Sequence, residues 1–342
     1  RPPISTLFPY TTLFRSSFRV VLDGNETLFG MRYFSIQHPA TRNFIYEWIL
    51  HQLLKREGLI YHRYKFIDVT LNGEEMGIYA IEEHVDKLLI EHNQLRDGPI
   101  LKFNEEIAWK EIFQQGGIVL DEHRMAKPTF EETWNGAGSY GASTVEVFQS
   151  GKSIIDSTSL LQMKKAVNLL EAFRQGVLPT SRVFDIKKLA MYFAIMDLSG
   201  GFNATQWTNV RFYHNPVTSL LEPIGRDGSL GYLRRISAAV ATLPKPSDMY
   251  WHFITNQIYF AELFADKTFY CEYIRAIERV SEQSYLDDFF PAIAKELADN
   301  LLILRSEFPD FLFSKESMYL NQKYISSVLN PAKTIHASFD RA

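Results

Sequence analysis

Apolar and polar positions alternate at Phe18, Val20 and Leu22, so the stretch from Ser17 to Leu28 reads as a strand ending in an Asp23-Gly24-Asn25 turn. The period then changes. Phe44, Ile45, Trp48, Ile49, Gln52 and Leu53 recur at helical spacing between a helix start at Pro39-Ala40-Thr41 and a stop at Gly58, which predicts one amphipathic helix of about five turns. Two apolar-rich runs, Tyr64 to Leu71 and Met76 to Ile81, flank Asn72-Gly73-Glu74-Glu75. Asn-Gly is the strongest short hairpin signal, because both residues accept the positive φ that such turns require. A helix from His84 to Gln94 and a short strand from Pro99 to Phe103 follow.

From Glu105 to Gly151 the periodicity lapses, and Gly116-Gly117, Asn135-Gly136, Gly138 and Gly141 lie among charged and polar residues, so this stretch reads as an irregular insertion or linker. Helical spacing returns at Ser157 to Gln175 and at Asp185 to Asp197. A second hairpin is expected from Asn209 to Tyr213 and Leu220 to Ile224, turning through Asn215 to Thr218. Beyond Pro246 the pattern is nearly all helical, through Ile254 to Phe264, Phe269 to Gln283 and Asp287 to Phe308. The expected architecture is α+β in two lobes: a strand-rich part over 17–104 with one long helix, a linker over 105–156, and a helical part over 157–342 that carries the candidate metal site. Residues 1–16 do not lead into this pattern and read as a non-native or disordered leader, similar to translated adapter sequence.

Composition narrows the class. The chain has 342 residues, 46% of them hydrophobic, enough for a substantial core. A net charge of −4 provides no broad attraction for nucleic acid. The single cysteine, Cys271, excludes an internal disulfide and a cysteine-pair zinc site. No stretch is long and apolar enough to be read as a membrane span. P-loop, H-E-x-x-H and G-x-S-x-G patterns are missing from the sequence, and no G-x-G-x-x-G follows an expected strand. The aromatic residues fall on the apolar faces of the expected helices and read as core.

One segment asks for chemistry. A helix ends at Asp197, a Gly200-Gly201 loop follows, a strand opens at Asn209, and the hairpin returns to Pro223-Ile224-Gly225-Arg226-Asp227-Gly228. Because a hairpin brings its first and last residues side by side, Asn209 and Asp227 are expected to be neighbours, with Asp197 one loop away. Two carboxylates and an amide form a hard-oxygen set suited to Mg²⁺ shared with phosphate oxygens. Asn203 competes with Asn209 for the amide role. The plainer reading makes Asp197 a helix end, Asn209 a backbone partner and Asp227-Gly228 a turn.

The hairpin Val69-Thr70-Leu71-Asn72-Gly73, continuing to Gly77, Tyr79, Glu82, Glu83 and Asp86, resembles the CotH (spore coat protein H) kinase-like family, an atypical protein-kinase group. Asp197, the Asn209 strand and Pro223 to Gly231 are similar to that family's acidic, Asn-aromatic and "pWDxDxxxG" segments. The resemblance runs from about Phe29 to Gly231 and implies a kinase-like fold using ATP and Mg²⁺. It assigns Asp197 as catalytic-loop acid and Asn209 and Asp227 as metal ligands. Arg32, Arg42 and Lys102 are the candidate phosphate cations, Glu47 on the long helix would orient one of them, and Glu82 stands at the lobe junction.

The implied partner is a protein substrate, a Ser-rich coat or surface protein, phosphorylated on Ser or Thr. The sequence departs from the family pattern at Ile224 and Gly225, which replace a Trp and a potential metal-binding Asp. That departure keeps a second expectation open, a catalytically impaired scaffold in spore-coat or cell-envelope assembly. Compartment is not legible; cytoplasm, cell surface and spore coat all suit the resemblance.

Overall fold

A computed structural model describes residues 17–114, 118–120, 126–128, 137–148, 157–228 and 252–331. The expected leader over 1–16 and the last part of the Pro223 to Gly231 motif, from Ser229, lie outside the described residues.

The first sheet contains β1 (Phe18–Val21), β2 (Tyr33–Gln37), β3 (Tyr64–Leu71) and β4 (Glu74–Glu83), antiparallel in the order β1-β2-β4-β3. Asn72 and Gly73 both take positive φ, +54° and +85°, as a right-twisted two-residue hairpin requires. The register slips between Val69 and Thr70, where Gly77 at φ +80° forms a bulge. Any side chain at Gly77 would run into the Glu307 carboxylate, which accepts the Ile78 N–H, so the glycine lets a distant helix approach the sheet.

The single helix expected from Pro39 to Gly58 is two pieces. A 3₁₀ turn (Pro39–Arg42) is followed by Asn43 and Phe44, both left-handed at φ +52° and +57°, and α1 begins only at Tyr46 and ends at Arg56. Tertiary packing accounts for the break: Phe44 stacks on Phe311 at 4.5 Å and meets Phe308 edge-on at 5.2 Å. The ring leaves the helical path to reach those partners. The helix expected from His84 shrinks to α2 (Lys87–His92), because β4 continues to Glu83 and Asp86 caps α2 by accepting the Leu89 N–H at 3.0 Å.

The second sheet runs β10-β9-β5-β8, from β5 (Ile100–Phe103), β8 (Val145–Val147), β9 (Arg211–Asn215) and β10 (Leu220–Ile224). It pairs strands from either side of the expected lobe boundary, since β5 precedes it and β9 and β10 follow it. The stretch read as an irregular insertion also contains α3 (Glu106–Gln114), the ribbon β6 (Ile118–Leu120) and β7 (Ala126–Pro128), and α4 (Ala137–Ala142). Short elements held by cross-strand partners carry too little periodicity to be seen in sequence.

The rest is helical: α5 (Ser157–Arg174), α6 (Thr180–Val183), α7 (Ile186–Ser199), α8 (His252–Ala265), α9 (Lys267–Ser281), α10 (Gln283–Ala292), α11 (Ala294–Glu307) and α12 (Glu316–Leu329). A break at Ile293, after Pro291, divides α10 from α11, where one helix from Asp287 to Phe308 was expected. α7 is the central element, with Tyr192 to Leu198 all buried, and it packs on α9, α12 and α1. One apolar core joins α1, both sheets and the helices, and includes the fully buried Trp207, Tyr192 and Tyr273. Antiparallel sheets drawn largely from the N-terminal part and helices from the C-terminal part are consistent with a kinase-like fold.

Candidate functional site

The chain reversal at Asn43-Phe44 places Arg42 and Glu47, the ends of two successive helical pieces, beside the exit of β4. Arg42 Nη1 contacts Asp227 Oδ1 at 2.7 Å, and its Nε reaches Glu82 Oε2 at 3.4 Å. Gln37 donates to the same Glu82 oxygen at 2.6 Å from the neighbouring strand. Glu47, with no exposed side-chain surface, accepts the Asp227 N–H at 2.5 Å and the Gly228 N–H at 3.1 Å. The Asp227 carbonyl in turn accepts Asn203 Nδ2 at 3.0 Å and Asn209 Nδ2 at 3.5 Å. Four chain segments, far apart in sequence, therefore converge at the mouth of the β9–β10 hairpin.

Electrostatics differ sharply within this small volume. Burial raises the Glu47 carboxyl, and the adjacent Glu82 charge pushes the same way. Burial would raise Glu82 too, but Arg42 and Arg226 outweigh it and hold Glu82 low and ionised. Burial alone would weaken the Arg42 cation, yet Glu82, Asp227 and Glu47 together fix it as charged. Asp227 is the carboxylate that reaches water, with 18% of its side chain exposed against 6% for Glu82.

A buried histidine pair backs the cluster. His51 Nδ1 accepts the His62 N–H at 3.3 Å, and the His62 Nδ1 pairs with the Glu83 carbonyl at 2.7 Å. Those contacts assign a proton to Nε2 of His51 and to Nδ1 of His62. Burial holds both rings neutral, His51 down to about 3, reinforced by its neighbour His62. Nε2 of each ring, the Tyr64 hydroxyl and Arg226 Nε are buried without a hydrogen-bond partner. His51, His62, Tyr64 and Arg226 did not stand out in the sequence: isolated histidines and arginines have no period or spacing to mark them. For Arg226 its place beside Asp227 was the available signal.

Among the sequence-derived candidates, Arg42, Glu47, Glu82, Asn209 and Asp227 come together. Asp197 does not join them. It is 1% exposed, receives the Tyr273 hydroxyl of α9 and lies near Tyr324 of α12. The cause is helical phase: Tyr192 of α7 faces the hairpin mouth, packed beside Gly225 and bonded to the Ala204 carbonyl, and five residues later the helix has turned about 140° away from it. Arg32 donates to the Leu22 carbonyl and lies over Tyr33, while Lys102 pairs with Glu146 at 3.2 Å and Glu105 at 3.7 Å. Both cations are engaged elsewhere.

The donor set fits a magnesium ion carried in by a nucleotide better than a free-standing metal. Among the described residues no group of three or more His, Cys, Asp or Glu side chains forms a metal cage, and Arg42 occupies the space between the carboxylates. Mg²⁺ bound with phosphates needs only one or two protein carboxylates, and the exposed edge of Asp227 could supply one. Two cavities of about 310 Å³ each lie elsewhere, one beside Lys188 and Arg279, the other beside Asp97 and Phe148, and neither is lined by a residue of the cluster.

A profile of the family described as CotH kinase protein matches residues 12–302. The chain belongs to the CotH kinase family. The match spans both sheets, α1 and the helices through most of α11, so this CotH chain is kinase-like over nearly all of its described length. A search of curated proteins returned no match. In the described residues of this CotH chain, no helix is long and apolar enough to cross a membrane.

Proposed function

We propose that this CotH chain is a Mg²⁺/ATP-dependent phosphotransferase that acts on Ser or Thr hydroxyls of a protein substrate. The observation that carries the reading is the Arg42–Asp227 pair at the hairpin mouth, backed by the buried carboxylates Glu47 and Glu82. Phosphoryl transfer is catalysed mainly by positioning and by neutralising charge, so one preset cation and one water-accessible carboxylate are the minimum equipment. Asp227, with Asn209 beside it, would hold Mg²⁺, which supplies charge neutralisation on the phosphates when bound. Arg42 would exchange its contact with Asp227 for phosphate oxygens, and Glu82 would keep the guanidinium in place through the exchange. Asp197 has no part in this proposal, since its carboxylate is committed to Tyr273.

The decisive experiment compares wild type with Asp227→Ala for phosphate transfer to a Ser-rich acceptor and for a thermal shift with Mg²⁺-ATP. Transfer by wild type and its loss in the variant are expected; equal activity in both would end the assignment.

A second reading, a catalytically impaired scaffold, is favoured by Gly225. A Cβ there would overlap Leu54 and crowd Tyr192, so the packing has closed over the position where the family pattern has an acid. No thermal shift at millimolar Mg²⁺-ATP, with no transfer, would favour the scaffold.

A further inference from the structure

Glu47 was expected to orient a cation, yet no ion pair joins it to Arg42; apart from a 3.8 Å approach to His51 Nε2, its oxygens are spent on backbone. We propose that Glu47 is a positioning residue: its buried carboxylate clamps the amides of Asp227 and Gly228 and so fixes where the Asp227 carboxylate points. Oε1 takes the Asp227 N–H at 2.5 Å and Oε2 takes the Gly228 N–H at 3.1 Å. Successive backbone amides form a concave nest for one acceptor group where the chain turns into the left-handed region, and Asp227, between the two amides, has φ +54°. An aspartate enters that region less readily than glycine does, so the conformation needs an external hold, and the carboxylate supplies it.

The clamp is non-local. Glu47 sits in the first turn of α1, 180 residues before Asp227, so the placement of α1 governs the shape of the hairpin mouth. Arg42 grips the same turn from its other side through the Asp227 side chain. Backbone and side chain of Asp227 are thereby held by separate partners, and a change in one hold can be told from a change in the other. With both oxygens engaged by amides, Glu47 is not a metal ligand; its effect on chemistry passes through Asp227.

The test is amide hydrogen exchange on the full chain, followed at a peptide containing Asp227 and Gly228, in wild type, Glu47→Gln and Asp227→Asn. A glutamine offers one acceptor oxygen for two amides. Glu47→Gln should therefore lose protection there by about tenfold or more, with α9 and α12 unchanged. Asp227→Asn should keep the protection, because the backbone clamp survives the loss of charge. Unchanged protection in a folded Glu47→Gln protein overturns the proposal. Wild type alone gives a second check should Glu47→Gln not fold: the amides of Asp227 and Gly228 must exchange at least about a hundredfold more slowly than the open turn at Asn72-Gly73, and equal rates overturn the clamp.

The activity arm rests on the phosphotransfer reading: Glu47→Gln should lower kcat by about tenfold or more with the KM for ATP nearly unchanged. If protection changes as expected while wild type transfers no phosphate, the clamp stands and the phosphotransfer reading falls.

Discussion

At the hairpin mouth Asp227 keeps an 18% exposed carboxylate against Arg42, whereas in the helical core Asp197 is 1% exposed and is bonded by the Tyr273 hydroxyl. The two residues are the same chemical group in unlike surroundings. The mouth holds a high density of charge close to water, where partners can be exchanged. The core around α7 is packed with Phe193, Phe260, Phe264 and Tyr273, and the Asp197 carboxylate there accepts the Tyr273 hydroxyl with little freedom to leave it. On the phosphotransfer reading, chemistry belongs to the first region.

The comparison can be broken in several ways, the largest effect coming first. Arg42→Ala removes the cation paired with the buried Glu82 and should destabilise the protein by about 3–5 kcal/mol, measured by denaturant unfolding. A loss below about 1 kcal/mol would mean that the cluster is solvated and not preorganised. Next, Asp227→Ala should reduce phosphate transfer by about 10²–10³-fold while leaving the melting temperature nearly intact, because its side chain touches water. Asp197→Ala should reverse that pattern, costing about 1–3 kcal/mol by removing the carboxylate that accepts the Tyr273 hydroxyl, with Mg²⁺-ATP affinity unchanged. Lost affinity in that variant would connect the two regions after all.

The last effect in this series concerns pH. His51 is held neutral in the folded protein, with its pKa down to about 3, so the unfolded chain takes up a proton on it at higher pH than the folded chain does. Its contribution is therefore complete above pH about 6.5 and is lost as pH falls through the window down to its folded value, about 2 kcal/mol by pH 5. Glu47 runs the opposite way: its raised pKa favours the fold at low pH and loses that contribution as pH rises. The difference between wild type and His51→Asn isolates the histidine, since Asn Oδ1 can still accept the His62 N–H. Wild type should lose about 2 kcal/mol more than the variant between pH 7 and pH 5. Parallel pH profiles would show His51 to be hydrated.

Much of the fold was legible because it is local. The Asn72-Gly73 hairpin, the β9–β10 hairpin and the helices over 157–174, 186–199 and 267–281 follow from turn chemistry and apolar spacing within a few residues. Missed features depend on distant partners: the break at Asn43-Phe44, the Ile293 break, and β8, which pairs with β5 at the edge of the second sheet. At the site, Asn209 and Asp227 were placed together by hairpin geometry, and Arg42, Glu47 and Glu82 were named on weaker grounds. For Asp197, nearness to Asp227 was expected from nearness along the chain, whereas its side chain is 1% exposed and receives the Tyr273 hydroxyl of α9.

By itself the sequence determined the α+β class, most of the helices, both main hairpins and membership of the CotH kinase family, because each is encoded in short-range pattern or in a contiguous motif. Only the tertiary structure decided which acids meet. Glu47 and Asp227 lie 180 residues apart, and nothing in the spacing of either reveals that one accepts the backbone of the other. The physical reason is that a charged side chain finds its partner through the direction its backbone gives it, and that direction is set by where whole helices and sheets pack.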